Sequence, residues 1–83
     1  MEYEYLFTKG LHERLKEKIK GHIFCKVIND ILVVNIGTKE GISYGYTLMD
    51  FAKKLQLGEI DSERLSNEIT QEYRKEILRN FFY

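Results

Sequence analysis

The segment 22–36 constrains the fold most strongly, because the chain changes there from a helical pattern to an alternating one. Two runs rich in β-branched residues, 22–28 and 31–36, flank the dipeptide Asn29-Asp30. Asparagine and aspartate tolerate the positive φ angles that a two-residue hairpin turn requires. The segment therefore predicts two antiparallel strands joined by a turn at Asn29 and Asp30.

Pairing about this turn sorts the side chains of the hairpin into two faces. It sets Ile28 opposite Ile31 and Cys25 opposite Val34. A one-residue slip would exchange the two faces, so the uniformly apolar character of one face supports this register. That face carries Ile23, Cys25, Val27, Leu32, Val34 and Ile36, and the opposite face carries Phe24, Lys26, Ile28, Ile31, Val33 and Asn35.

The run Gly37-Thr38-Lys39-Glu40-Gly41 could in principle bind a phosphate or connect two strands. A phosphate-binding loop has the pattern G-x-x-x-x-G-K-[ST] between a strand and a helix. Here the lysine precedes the second glycine, the spacing is one residue short and another β-type run follows. We therefore predict a five-residue hairpin loop and no nucleotide site. This loop would set Ile36 opposite Ile42 and Val34 opposite Tyr44.

Apolar residues spaced by four predict helices on both sides of the strands. The first such series predicts a helix over 11–20, with an open N-terminal boundary and a stop at Gly21. Thr47 is expected to end the third strand and to cap a short helix that Gly58 stops, and Asp61 is expected to cap the last helix. The two long apolar stripes are Tyr3, Phe7, Leu11, Leu15 and Ile19, and then Leu65, Ile69, Tyr73, Ile77 and Phe81, widened by Leu78, Phe82 and Tyr83.

The order of these elements predicts an α+β fold. Residues 1–83 form a single domain of order αβββαα, in which a three-stranded antiparallel β-meander has helices packed on one face. No 18-residue apolar stretch is present, and the N-terminus lacks the basic region of a secretion signal. We therefore expect a cytoplasmic protein that has no membrane partner.

Charge and side-chain chemistry argue against an enzyme. Thirteen cationic and thirteen anionic residues cancel, so no overall field attracts nucleic acid or anionic lipid. His22 and Cys25 have the spacing of half a metal site, but residues three apart on a strand point to opposite faces, and His12 lies on the preceding helix. Apolar neighbours would raise the thiol pKa of Cys25 and so weaken it as a nucleophile. We predict no catalytic, cofactor-binding or metal-binding residues.

The second face of the meander is the candidate interaction surface. A small domain seldom leaves a contiguous apolar patch in water, so something is expected to cover it. The candidates are the aromatic C-terminus of the same chain, a second copy in a homodimer, or a host protein. The predicted surface consists of Phe24, Lys26, Ile28, Ile31, Val33, Phe81, Phe82 and Tyr83.

Two stretches of the C-terminal half carry a resemblance to known proteins. Y-T-L-M-D-F-A-K-K-L-Q-L-G over 46–58 and E-Y-R-K-E-I-L-R-N-F-F-Y over 72–83 resemble small uncharacterised proteins of phages and prophages of Gram-positive bacteria. The element order is also similar to one class of small phage-encoded anti-CRISPR inhibitors. Those are strongly acidic and this chain is neutral, which argues against DNA mimicry. The resemblance implies an accessory protein that acts by binding, for example by inhibiting a host defence factor.

A nucleic-acid accessory protein is the alternative hypothesis from a different class. The first helix is basic, and exposed tyrosines beside cations can stack on bases. The residues that would carry this function are Lys9, Lys16, Lys18 and Lys20, with Tyr3 or Tyr5.

Overall fold

The computed structural model describes the backbone of residues 2–82 and the side chains of residues 3–80. The strands form one antiparallel sheet in the order β1-β2-β3. The α+β class and the αβββαα order are confirmed. The elements are α1 (Glu2–Lys18), β1 (His22–Ile28), β2 (Ile31–Gly37), β3 (Ser43–Leu48), α2 (Phe51–Gln56) and α3 (Ser62–Phe82).

The first hairpin has the register that the sequence predicts. Cys25 lies opposite Val34 and Ile28 lies opposite Ile31. Asn29 and Asp30 form the turn with φ angles of 49° and 61°. A turn of only two residues needs positive φ angles, because these give the turn the same twist as the flanking strands. Asn29 and Asp30 supply both angles.

The second hairpin differs from the prediction by two residues. Ile36 lies opposite Tyr44, not Ile42, and Val34 lies opposite Tyr46. Residues 38–42 form the loop, which Thr38 closes: its N–H donates to the Ile42 carbonyl at 2.9 Å, and its Oγ1 accepts from the Ile42 N–H at 3.1 Å. Because a shift of two residues preserves the alternation of faces, Tyr44 and Tyr46 still face the core.

Helix α1 ends at Lys18, two residues before the predicted end, and Gly21 follows in the connection to β1. A Cβ atom at Gly21 would lie 2.6 Å from the carbonyl oxygen of Gly37, whereas a Cβ at Gly37 would meet nothing within 4 Å. The connection therefore needs glycine for close approach to the end of β2.

We expect Gly21→Ala to destabilise the fold by about 1–3 kcal/mol, because backbone atoms must move to relieve the overlap. The matched control is Gly37→Ala, which introduces the same methyl group into open space. Urea unfolding of both variants measures the difference, and equal stabilities would show that the connection adjusts freely.

The N-terminus of α2 is capped from a distant turn and not by Thr47, so that prediction was wrong. Thr47 lies opposite Val33 within the sheet, which keeps its backbone extended. Asp50 adopts a φ of 54° and makes no side-chain cap. Instead, the Ala52 N–H donates to Oδ1 of Asp30 at 2.7 Å, and the Phe51 N–H donates to the Asp30 carbonyl at 3.0 Å.

We expect Asp30→Ala to lower the free energy of unfolding by about 0.5–2 kcal/mol, because the α2 N-terminus loses its acceptor. Asp30→Asn retains an acceptor oxygen and tolerates the positive φ angle, so it should unfold near the wild-type midpoint. Chemical denaturation separates the two variants. If Asp30→Asn destabilises the fold as much as Asp30→Ala does, the negative charge of the carboxylate contributes more to stability than the hydrogen bond.

The core lies between one face of the sheet and helices α1 and α3. Helix α1 packs against β1 and α3, and α3 also contacts β3. The predicted end of α2 at Gly58 (φ 68°) and the Asp61 cap of α3, whose Oδ2 accepts from the Arg64 N–H at 3.3 Å, are confirmed. The buried apolar residues are Leu11, Leu15, Ile19, Leu32, Val34, Ile36, Phe51, Leu65, Ile69 and Tyr73.

The C-terminal end of the last apolar stripe differs from expectation. Leu78 is 55% exposed and does not widen the core face of α3. The side chains of Phe81 and Phe82 and the whole of Tyr83 lie outside the described residues, although the α3 backbone is helical to Phe82. Within residues 2–82, no helix has the length and apolar character needed to cross a membrane.

Candidate protein-interaction surface

The face of the sheet that points away from the helices carries an apolar patch, which we call the outer face. Strand alternation places Phe24, Lys26 and Ile28 of β1 there, beside Ile31 and Val33 of β2. Phe24 and Ile28 are 50% and 44% exposed, and Ile31 and Val33 are half-buried by their neighbours on the sheet. Helices α1 and α3 pack on the other face of the sheet, and side chains of α1 border the patch along β1, beside Phe24 and Lys26.

Strand β3 bounds the patch with small polar positions. Gly45 lies opposite Asn35 and Thr47 lies opposite Val33, so the apolar area is confined to β1 and to the start of β2. Lys26 lies at the centre of the patch, is exposed to solvent and lies opposite Val33. The ion pairs within residues 3–80 are Lys75–Glu72 and Arg79–Glu76, both on α3, so Lys26 forms no ion pair with an acid of these residues.

The predicted contribution of the C-terminus to this surface stays a prediction. Phe81, Phe82 and Tyr83 have side chains outside the described residues. The helical backbone continues along α3 to Phe82, and α3 packs on the core side of the sheet. A tail that covers the outer face would therefore have to leave the path of that helix.

The residues considered for a metal site do not converge. His22 lies on the outer side of β1, whereas Cys25 is half-buried on the core side. His12 Nε2 lies 3.0 Å from the carbonyl oxygen of Ile23 and donates to it, so this nitrogen carries a hydrogen. Among the described side chains, no group of three or more His, Cys, Asp and Glu residues could hold a metal ion.

Burial raises the pKa of the Cys25 thiol from 9.0 to about 11. Burial is also the largest cause of the raised pKa values of Tyr44, Tyr46 and Tyr73, to which nearby acidic side chains add. The predicted rise for Cys25 is therefore confirmed, and its apolar surroundings explain it. A thiol that stays protonated near neutral pH is a poor nucleophile.

We expect stability to fall as pH rises from about 9 to about 11, because the unfolded chain loses the Cys25 proton while the folded chain keeps it. The three tyrosines act in the same direction at higher pH. Urea unfolding at about pH 8 and about pH 10 measures this loss, and Cys25→Ala should reduce it. An unchanged loss in Cys25→Ala would assign the effect to the tyrosines.

The basic residues of the first helix, and Lys20 just after it, are only partly arranged as a binding surface. Tyr3 and Tyr5 are exposed, as are Lys9, Lys16 and Lys20. Lys18 differs, because its Nζ donates to Ser66 Oγ of α3 at 2.6 Å. The geometry thus keeps two tyrosines and three lysines accessible and places Lys18 between the helices.

The sequence patterns did not predict a groove that lies between α1 and β1. The groove is open to solvent, follows the free edge of the sheet and has a volume of about 580 Å³. The period-four stripe of α1 indicates only that the helix packs on the sheet, not which strand it covers. The groove is lined by Glu4, Tyr5, Thr8, Lys9, His12, Ile23, Phe24, Cys25, Lys26 and Val27.

No protein-family model, curated protein or solved structure matches this chain.

Proposed function

We propose that this chain is a small accessory protein of the phage or prophage type that acts in the cytoplasm by binding another protein. The partner is a host protein, such as a defence factor that the binding inhibits or modulates, or a second copy of the chain. The outer face carries this proposal, because Phe24 and Ile28 are each about half exposed beside Ile31 and Val33. Apolar and aromatic side chains in a contiguous patch are typical of the centre of protein interfaces.

A binding role is favoured over catalysis by the scarcity of buried polar groups. Within residues 3–80, the buried polar side chains are Ser66 and Thr70. Both donate to backbone carbonyls of α3, at 2.7 and 2.6 Å. Neither titrates, and the charged group beside them, Lys18 Nζ at 2.6 Å from Ser66 Oγ, donates to that hydroxyl and does not accept its proton. These groups fit a structural role within the helix.

Affinity capture from a bacterial host lysate tests the proposal, with nuclease treatment and washes at low and at high salt. An apolar protein interface should keep its partner at high salt, because desolvation of the patch supplies the binding energy. We expect a protein to be retained in near-stoichiometric amount after nuclease treatment. Loss of all bound protein after nuclease treatment, with nucleic acid recovered in a parallel capture without nuclease and released as salt rises, would overturn the proposal.

Nucleic-acid binding through α1 is the second candidate. Tyr5 and Lys9 favour it, since both are exposed and lie one helical turn apart. Affinity for a single-stranded oligonucleotide should then fall steeply with salt, as phosphate contacts require. Lys9→Gln and Lys16→Gln should each weaken binding, whereas Lys18→Gln should change it less, because Lys18 is engaged with Ser66.

A further inference from the structure

Strand β1 is an edge of the sheet, with β2 as its neighbour on one side. In a two-residue hairpin the closing pair, Ile28 and Ile31, exchanges both backbone hydrogen bonds, so alternate residues of β1 point their N–H and C=O groups outward. The outward residues are Ile23, Cys25 and Val27. The His12 bond to the Ile23 carbonyl agrees with this direction, because it reaches β1 from outside the sheet.

Two residues of this edge keep their backbone groups unpaired within the described chain. The Ile23 carbonyl has His12 as its partner, but no residue in 2–82 outside the strand bonds the backbone of Cys25 or Val27. An edge that offers such groups is a template for another strand. Here the template runs along the floor of the α1–β1 groove, which leaves about 580 Å³ of space for the added side chains.

The two sides of the groove differ in polarity and charge. Toward the core, an added strand would meet the apolar side chains of Ile23, Cys25 and Val27. Toward the outer face, it would lie beside Phe24, Lys26 and Ile28, of which Lys26 is charged and has no ion-pair partner among the described residues. Lys9 and Glu4 stand on the helical wall, so the groove carries two cations against one anion.

We propose that an extended segment of a partner protein adds to β1 as a fourth strand, with apolar residues alternating with acidic ones. The apolar residues face the core side of the groove and one of the acidic residues pairs with Lys26, since side chains of a strand alternate between faces. This mode is β-augmentation, in which main-chain bonds give affinity and side-chain contacts give specificity. The inference rests on the proposed function only in that the ligand is a polypeptide.

A second copy of this chain fits the edge less well than a single strand does. Paired strands lie about 4.8 Å apart, whereas packed helices need about 8–10 Å between their axes. Helix α1 packs against β1 itself, so symmetric pairing of two β1 strands would force the two α1 helices together. An extended segment without its own covering helix avoids this overlap.

Amide hydrogen exchange by NMR tests the proposal with a defined probe. The probe is a capped peptide of seven residues, the length of β1, in which valine alternates with glutamate. We expect it to slow exchange at the Cys25 and Val27 amides and to leave the Gly45 and Thr47 amides of the β3 edge unchanged. Equal protection at both edges, or none at Cys25 and Val27, would overturn the proposal.

Two variants test separately the contribution of the Lys26 charge and that of the β1 backbone. Lys26→Glu should reverse the preference of the groove, so that a valine–lysine peptide binds more tightly than the valine–glutamate peptide. Val27→Pro removes an outward N–H that β2 does not use, so it should weaken the peptide while the β1–β2 register survives. An unchanged peptide preference in Lys26→Glu contradicts the proposed pairing.

The variant Val33→Lys distinguishes peptide binding at the β1 edge from protein binding through the outer face. Val33→Lys alters the outer face of β2 but not the backbone groups of β1, so protection of Cys25 and Val27 by the peptide should persist in that variant. Loss of a captured lysate protein with retained peptide protection would show that the lysate protein depends on the outer face at Val33, whereas the peptide binds the backbone edge of β1. Capture of a protein by wild type without any peptide protection would keep the binding function and reject the edge site.

Discussion

Val34→Asp is expected to leave the chain without a cooperative thermal unfolding transition. Val34 is fully buried in the central strand β2, between Cys25 of β1 and Tyr46 of β3. Among the described residues, no buried cation could pair with a carboxylate at this site, and its burial costs several kcal/mol. Domains of this kind have only about 5–15 kcal/mol of total stability, so the variant should be largely unfolded. Circular dichroism during a thermal melt measures the loss.

The matched control places the same side chain one strand away on the opposite face. Lys26 is exposed on the outer face, so Lys26→Asp leaves its carboxylate in water and should retain a cooperative melt. Its stability should lie within about 1 kcal/mol of wild type, as is usual for surface substitutions. A melt in which Lys26→Asp is the less stable variant would contradict the assignment of the two faces.

The first hairpin could be predicted from the sequence because two independent signals agree on it. Asn29 and Asp30 leave a turn of only two residues, and this length fixes which residues are opposite each other. The uniform apolar face selects the same register, since a slip by one residue would bury Lys26. The outer face follows from that register, so the sequence predicts that Phe24, Ile28, Ile31 and Val33 lie together on it.

The errors occur where distant residues or loop closure decide the structure. A loop of five residues can be closed at more than one pair, and the Thr38 hydroxyl selects the closure that the alternation alone does not distinguish. The α2 cap comes from Asp30, which is 22 residues from its partner Ala52, so a local pattern at Thr47 was misleading. The α1–β1 groove depends on which strand the helix covers, and periodicity carries no such information.

Val33→Lys is expected to abolish binding of the partner, or dimerisation, while the fold is retained. The Val33 side chain points away from the core, and a lysine there can extend its ammonium group into water. Lys26 lies directly opposite, so repulsion should lower stability by about 1 kcal/mol or less. At an interface, the same ammonium would be desolvated without a partner, and we expect affinity to fall at least about tenfold, or about 1.4 kcal/mol.

Light scattering and pull-down measure this effect, with two companion variants. Ile28→Lys introduces the charge at a more exposed position of the same patch and should act in the same way without facing Lys26. Gln71→Lys adds a cation to the exposed surface of α3 and should leave binding unchanged.

Deleting residues 81–83 tests whether the C-terminus of the same chain covers the outer face. A lower melting temperature at unchanged mass would assign the outer face to the C-terminus. If Val33→Lys unfolds the chain, the outer face is internal, and protein binding through it is excluded.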